Sequence, residues 1–422
     1  MTSLEPAGTA GRRILHVLSQ RPSLTGSGIT LDALVRLAGE TGWEQQVVAG
    51  VPAGAPVAGV GGLAPEAVHT VTFAGTDPGL PSDLPFPVPG MSDVMPYRSS
   101  VWSRLTTTEV DAYCHAWQER LARVVEEFRP DVIHAHHAWL VSSLVRDVAP
   151  GVPLAIHTHG TGLRQMVLCP GLAGRARQGC SRADRLLVLH GEHARAYGEA
   201  LGMEPSRLTV VGAGYREELF NTGGADQRQP LALLYAGKLS RAKGLPSLLD
   251  AAQSLAAALP GLVLHVAGGG DGEEADQLRQ RIEEMAPLVT FHGRLDQQQL
   301  AALMRRSSIF VLPSFYEGLP LVLVEALASG CRLVATALPS VVEELAPRMG
   351  RHLDLVPLPR LVKADQPVAE DLPAFTANLA ESIRRSLAGA GETGSADPDL
   401  LESFTWRAVF RRVEQAWAEI SG

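Results

Sequence analysis

Two glutamates, two lysines and five histidines are the residues of this 422-residue chain whose types and spacing could do chemistry. Glu317 follows the apolar run Ile309–Leu312, and Glu325 stands inside a second apolar run of Leu319, Leu321, Val322, Leu323, Val324, Ala326 and Leu327. An unpaired buried charge is costly or becomes neutral, so Glu325 needs a partner, and a ligand can be that partner. Lys238 and Lys243 flank a loop after the apolar segment LALLYAG. Two cations there can stabilise a departing diphosphate, each close charge pair being worth about 4 kcal/mol before desolvation at an effective dielectric near 20. A solvated surface pair is the competing reading. In RPDVIHAHHAWL, the period of two places His134 and His136 on one face of a strand and His137 on the other, and PLAIHTHG repeats the pattern with His157 and His159. Histidine pairs of this kind bind transition metals or serve as hydrogen-bonded core residues.

The segments that must position these residues read as strand and helix in alternation. RRILHVLSQ is a strand, followed by a glycine turn with Gly26 and Gly28 and an apolar helix through Leu31, Leu34, Val35 and Ala38. Gly26 and Gly28 let backbone N–H groups approach an anionic or hydroxylated ligand, although a tight turn alone also explains them. Residues 51 to 105, rich in Gly, Pro, Ser and Asp, read as one long loop, a lid or an acceptor wall or a plain cover for the core. Val110, Cys114, Trp117, Leu121, Val124 and Phe128 recur at helical spacing and predict a core helix. Asn221 to Pro230 has linker composition, and residues 1 to 10 read as disordered. LVLHVAGGGDGEE runs a strand into Gly268, Gly269 and Gly270, where a nucleotide can come close; the pattern lacks the GxGxxG fingerprint and disfavours NAD. Residues 351 to 373 read as an irregular insertion.

Composition narrows the class. The length suits two domains. A net charge of −8 without a basic cluster argues against nucleic acid as a partner. There is no run of 18 uncharged apolar residues and no apolar leader, so a cytoplasmic location without a membrane span is expected, peripheral membrane contact being left open. Cys114, Cys169, Cys180 and Cys331 have no zinc-like spacing and read as free thiols.

EGLPLVLVEA, from Glu317 to Ala326, resembles the E-x7-E signature of retaining glycosyltransferases of the GT-B type, family 4 (glycosyl transferases group 1). If the intervening segment is helical, about 10 Å separates the two acids at about 1.5 Å per residue, a sugar-to-ribose distance. The resemblance implies that Glu317 touches donor-sugar hydroxyls, that backbone N–H groups at Gly318 and Leu319 assist, and that Glu325 holds the ribose diol. It implies that His159 stands beside the donor sugar and that Gly293 and Arg294 face the base. His136, His137 and Arg164 are weaker, acceptor-side candidates, and Arg164 is placed to reach a phosphate or an anionic acceptor. Because DVIHAHH and HTHG recur in the family without a metal, no metal is expected. LLESFTWRAVFRRVEQAWAEI resembles the family's terminal helix. Three departures stand out. Lys238 replaces the usual Arg after glycine, so charge survives without the bidentate fork; VVGAGYREELF lacks the usual Asn and acid; and Ala337-Leu338 replaces a Gly-Gly pair.

The expected architecture is therefore α/β, GT-B: two Rossmann-like domains with parallel sheets facing a central cleft. Residues 11–222 form the acceptor-side domain, 230–395 the nucleotide-sugar domain, and 399–422 a helix that returns to the first. The expected activity is transfer of a sugar from a UDP-linked donor to an unidentified small-molecule or glycan acceptor with retention. No cofactor is expected, and His159, Lys238, Lys243 and Glu317 do the catalytic work. A nucleotide-sugar epimerase, a non-catalytic nucleotide-sugar scaffold and a metallohydrolase are the rival readings.

Overall fold

The computed structural model describes residues 11–22, 25–56, 60–92, 95, 97–223, 228–363, 365–389 and 398–422. The expected disordered start and the centre of the expected linker, residues 224–227, lie outside them, as do a few positions of the 51–105 stretch. The chain forms two compact units: Met1–Ala213 with Trp406–Gly422, and Gly214–Thr405.

In the first unit, β1 (Arg13–Leu18), α1 (Gly26–Glu40), β2 (Glu44–Pro52), β3 (Val68–Phe73), α2 (Thr107–Phe128), β4 (Val132–His136), α3 (Leu140–Val148), β5 (Leu154–His157), α4 (Thr161–Leu168), α5 (Pro170–Cys180), β6 (Arg185–Val188), α6 (Gly191–Leu201) and β7 (Leu208–Val210) follow one another. The seven strands are parallel in the order β3-β2-β1-β4-β5-β6-β7, so the direction of winding reverses between β1 and β4. Ile14, Leu15, Val17 and Leu18 are all buried, as a central parallel strand covered on both faces requires. The predicted α2 stripe is buried throughout, and a Thr106–Glu109 capping box starts the helix. The stretch read as one long loop contains β3 on the sheet edge; its two fully buried residues, Val71 and Phe73, alternate with partly exposed ones, a signal that the surrounding glycines and prolines mask.

The terminal helix (Trp406–Ser421) belongs to this unit. Val409, Phe410, Val413 and Trp417 pack with Ile14, Leu34, Trp43 and Val132, and Trp43 Nε1 donates to Glu414 Oε1 at 2.9 Å.

The second unit runs through β8 (Gln229–Ala236), α7 (Leu245–Ala256), β9 (Val263–Ala267), α8 (Glu273–Glu284), β10 (Val289–Gly293), α9 (Gln297–Arg306), β11 (Ser307–Leu312), α10 (Leu321–Ala328), β12 (Arg332–Thr336), α11 (Ala346–Met349), β13 (Leu353–Val356) and α12 (Leu372–Ala388). Its six-stranded parallel sheet has the order β10-β9-β8-β11-β12-β13, reversing between β8 and β11. The expected insertion at 351–373 is more regular than its composition suggests: β13 extends the sheet edge, and Leu361–Lys363 pairs with Gln366–Pro367.

Candidate active site

Open parallel sheets bind ligands beyond the carboxyl ends of the strands where the winding reverses. In the second unit that point lies after β8 and β11, and it holds the two lysines and Glu317. Gly244 brings the two loops together: its φ is +66°, and a Cβ there would fall 2.0 Å from the Pro313 carbonyl oxygen, so only glycine fits. Phe315 N–H then donates to Ala242 C=O at 3.0 Å. As a result Lys243 Nζ lies 2.8 Å from Glu317 Oε1 and donates to the Tyr316 carbonyl at 3.3 Å. Lys238, Lys243, Glu317 and Leu319 line one cavity of about 350 Å³.

Two residues that sequence reasoning missed shape the same cavity. The Ser314 hydroxyl is buried in its wall and has no hydrogen-bond partner among the described residues. A serine between Pro313 and Phe315 looks like any loop serine, so no sequence signal marks it. The Tyr235 hydroxyl donates to the Lys238 carbonyl at 2.6 Å and fixes the loop that carries the lysine.

Glu325 lies one turn into α10. The helix begins only at Leu321, so the 10 Å spacing, which assumed a helical path from Glu317, does not apply. Glu325 is not among the residues lining the cavity, but Leu321 and Val322 are, and they stand four and three positions before it on the same helix face. It has no ion-pair or hydrogen-bond partner among the described residues, and burial pushes its carboxyl up to about 7.

The glycines of the next two strands adjoin this point. Gly268, at φ +138°, has its Cβ position 1.8 Å from the Gly237 carbonyl oxygen, and its N–H donates to Gly293 C=O at 2.7 Å. Arg294 passes against Gly269 and reaches Asp271 at 3.4 Å. Gly318 lies in the loop between β11 and α10.

In the first unit the reversal point lies after β1 and β4. His134, His136, His157 and His159 form a nearly parallel array, with centroid separations of 4.8 Å (His134–His136), 5.2 Å (His136–His159) and 4.9 Å (His157–His159) and ring planes within 13° of one another. His134, His136 and His157 offer ring nitrogens within 4.8 Å of each other. Their rings lie within 10° of parallel. Burial, reinforced by neighbouring imidazoles, holds His134, His136 and His159 well below the usual histidine range; burial alone lowers His157 to about 4. All are neutral at pH 7.

His137 corrects the alternation read from sequence. β4 ends at His136, and His137 takes φ +68°, which turns its ring back toward His159 at 4.8 Å and its Nδ1 to 3.0 Å from Thr161 Oγ1. Gly28 is corrected as well: its N–H donates to the Thr25 hydroxyl at 3.2 Å as a helix cap and is not a free donor for a ligand. Gly26 opens α1, and Arg164 is exposed on α4. All four cysteines are buried, and none is in a disulfide among the described residues.

Residues 216–350 match the family model described as glycosyl transferases group 1, and residues 25–214 match that of the glycosyl transferase 4-like domain. The chain belongs to the family 4 glycosyltransferases. Among its relatives, D-inositol 3-phosphate glycosyltransferase 1 of Catenulispora acidiphila is 32% identical over 49% of this chain and 56% of its own length. Glycogen synthase of Mycobacterium tuberculosis is 30% identical over 50% and 52%. The chain thus spans about half the length of the curated relatives it matches. Solved structures show that this family 4 member has the GT-B fold. The Anabaena HepE complex with UDP-glucose superposes with a TM-score of 0.64 at 17% identity, over 96% of this chain and 99% of that one. Sucrose-phosphate synthase of Thermosynechococcus elongatus gives 0.63, also at 17% identity, over 97% and 98%. Among the described residues, no helix is long and apolar enough to cross a membrane.

Proposed function

We propose that this glycosyltransferase moves a sugar from a UDP-linked donor to a hydroxyl-rich acceptor with retention at the anomeric carbon, without a metal. One observation carries the reading: Lys243, Glu317 and Lys238 share a single cavity at the reversal point of the second sheet. There the lysines neutralise the leaving diphosphate, Glu317 holds sugar hydroxyls, and Ser314 gains the hydrogen-bond partner it lacks among the described residues, while Glu325, beside the cavity on α10, takes the ribose diol. His159 is the first unit's candidate for a hydrogen bond to a sugar or phosphate oxygen. The acceptor attacks from the side on which the phosphate leaves, and a phosphate oxygen takes its proton, so no carboxylate base is needed. Structural neighbours solved with UDP and UDP-glucose favour uridine, and relatives named for an inositol phosphate and for glycogen favour a polyol or glycan acceptor.

The test is a screen of UDP-, GDP- and ADP-sugars against acceptor pools, read by mass spectrometry, with the anomeric configuration of the product determined by NMR. A product of retained configuration, formed only when acceptor is added, is the expected result. Conversion of the donor sugar without acceptor identifies an epimerase, and binding without turnover of any donor identifies a scaffold.

A further inference from the structure

The hydrogen bonds of His136 and His137 determine which atoms of the next loop give protons and which accept them. His136 Nδ1 lies 3.0 Å from His159 Nε2, and His137 Nδ1 lies 3.0 Å from Thr161 Oγ1. The remaining nitrogen of each ring, Nε2, is buried and has no partner among the described residues. A neutral imidazole has one N–H and one lone pair. With its proton on Nε2, each ring would bury an N–H with no acceptor, the rarer fault in folded proteins; with its proton on Nδ1, each donates a hydrogen bond and leaves only a lone pair unused.

We propose that His136 and His137 are positioning residues that set His159 and Thr161 as hydrogen-bond donors toward the substrate oxygens. His159 accepts at Nε2 and therefore carries its own proton on Nδ1. Thr161 accepts at Oγ1 and keeps its hydroxyl proton to give. This rests on the reading of His159 as a residue beside the donor sugar, and it sharpens that reading. The one lone pair of His159 is already engaged by His136, so His159 offers an N–H to a sugar or phosphate oxygen and does not serve as the base for the attacking hydroxyl.

Histidine-selective ¹⁵N labelling of the full chain, with long-range ¹H–¹⁵N correlation at pH 7, reads the tautomers directly. His159→Gln and His136→Asn assign the resonances. The expected result is protonated Nδ1 on both His136 and His159; a proton on His159 Nε2 in the wild type overturns the proposal. In His136→Phe, His159 is expected to relax to a mixture of tautomers and transfer to fall about fivefold to tenfold, while His136→Asn, whose amide can still donate, retains most of both. If His136→Phe does not fold, the wild-type spectrum still decides. A transfer rate that rises tenfold per pH unit through an ionisation abolished in His159→Gln also overturns it, since that identifies a base. Protonated Nδ1 together with undiminished transfer in His159→Ala supports the tautomer assignment and overturns the functional reading beneath it.

Discussion

Replacing Lys243 by alanine separates its ion pair with Glu317 from the leaving-group role proposed for it, and the sizes of the effects differ enough to be told apart. Its Nζ lies 2.8 Å from Glu317 Oε1, and the two side chains are 25% and 20% exposed. At an effective dielectric near 20, that separation gives about 6 kcal/mol before desolvation. Solvent screening and the cost of ordering both side chains bring the net value of such pairs to about 1 kcal/mol, and a half-buried, unpaired Glu317 left behind raises the loss to about 2 kcal/mol. The second unit is then expected to melt roughly 4 to 8 °C lower. Catalysis is expected to lose more: removing one preorganised donor from a developing negative charge costs about 100-fold to 1000-fold in kcat. The assay is kcat with the donor found active in the screen, at a temperature where circular dichroism shows the variant folded. Adding Glu317→Gln to Lys243→Ala removes the stranded charge, so it should recover stability without recovering turnover. Lys243→Ala with kcat within about threefold of wild type, in a folded protein, refutes the assignment of this cavity to the leaving group.

Glu325 and the buried histidines of the first unit respond to pH with opposite signs. The carboxyl of Glu325 is raised to about 7 from 4.5, so this group binds more protons in the folded than in the unfolded chain between those values, and its contribution to stability, on the order of 3 kcal/mol, is lost as pH rises across them. Glu325→Gln should flatten this dependence; urea unfolding followed by circular dichroism at pH 5 and 8 checks it, and an unchanged slope sinks the account. In the first unit, His16 and His157 are lowered to about 4 and His137 to about 3, mainly by burial. Their contribution is present above about pH 6.5 and is lost as pH falls toward 4, because the unfolded chain takes up protons first; each such group costs on the order of 3 kcal/mol by the bottom of the window. All six tryptophans lie in this unit, and Trp417 packs edge-on against His16 and His134, so tryptophan emission reports its acid unfolding. His134→Leu removes two ring nitrogens that have no hydrogen-bond partner among the described residues and should move the acid midpoint to lower pH. Emission that is unchanged down to pH 4 contradicts the buried-neutral reading.

What was legible in the sequence is what chain-local chemistry determines. Glu317, Lys243 and the alternating apolar runs announced the second unit because a motif confined to one strand, loop and helix fixes its own geometry. The terminal helix was legible from Trp406, Val409, Phe410, Val413 and Trp417, whose spacing is a property of the helix alone. β3 and β13 were not, because edge strands are short and half-exposed, and the glycines and prolines around them outweigh their alternation. Ser314 was invisible for a different reason. What distinguishes it from an ordinary loop serine is a buried hydroxyl with no hydrogen-bond partner among the described residues, beside the point where Gly244 seats against Pro313, about 70 residues apart in sequence.

The histidines show most clearly where periodicity stops being a guide. Alternation put His134 and His136 on one face correctly because both lie within β4. It failed at His137, one residue past the strand, where a positive φ returns the ring to the side it should have left. That single backbone rotation gives Thr161 its partner and places His137 against His159 from a second direction, while His136 holds His159 across the β4–β5 pairing. Neither contact is encoded in spacing, since each joins residues more than 20 positions apart through strand register. The composition of the loop after β5 singled out His159 as a candidate, and the neighbouring strand supplies the hydrogen bond that occupies its Nε2.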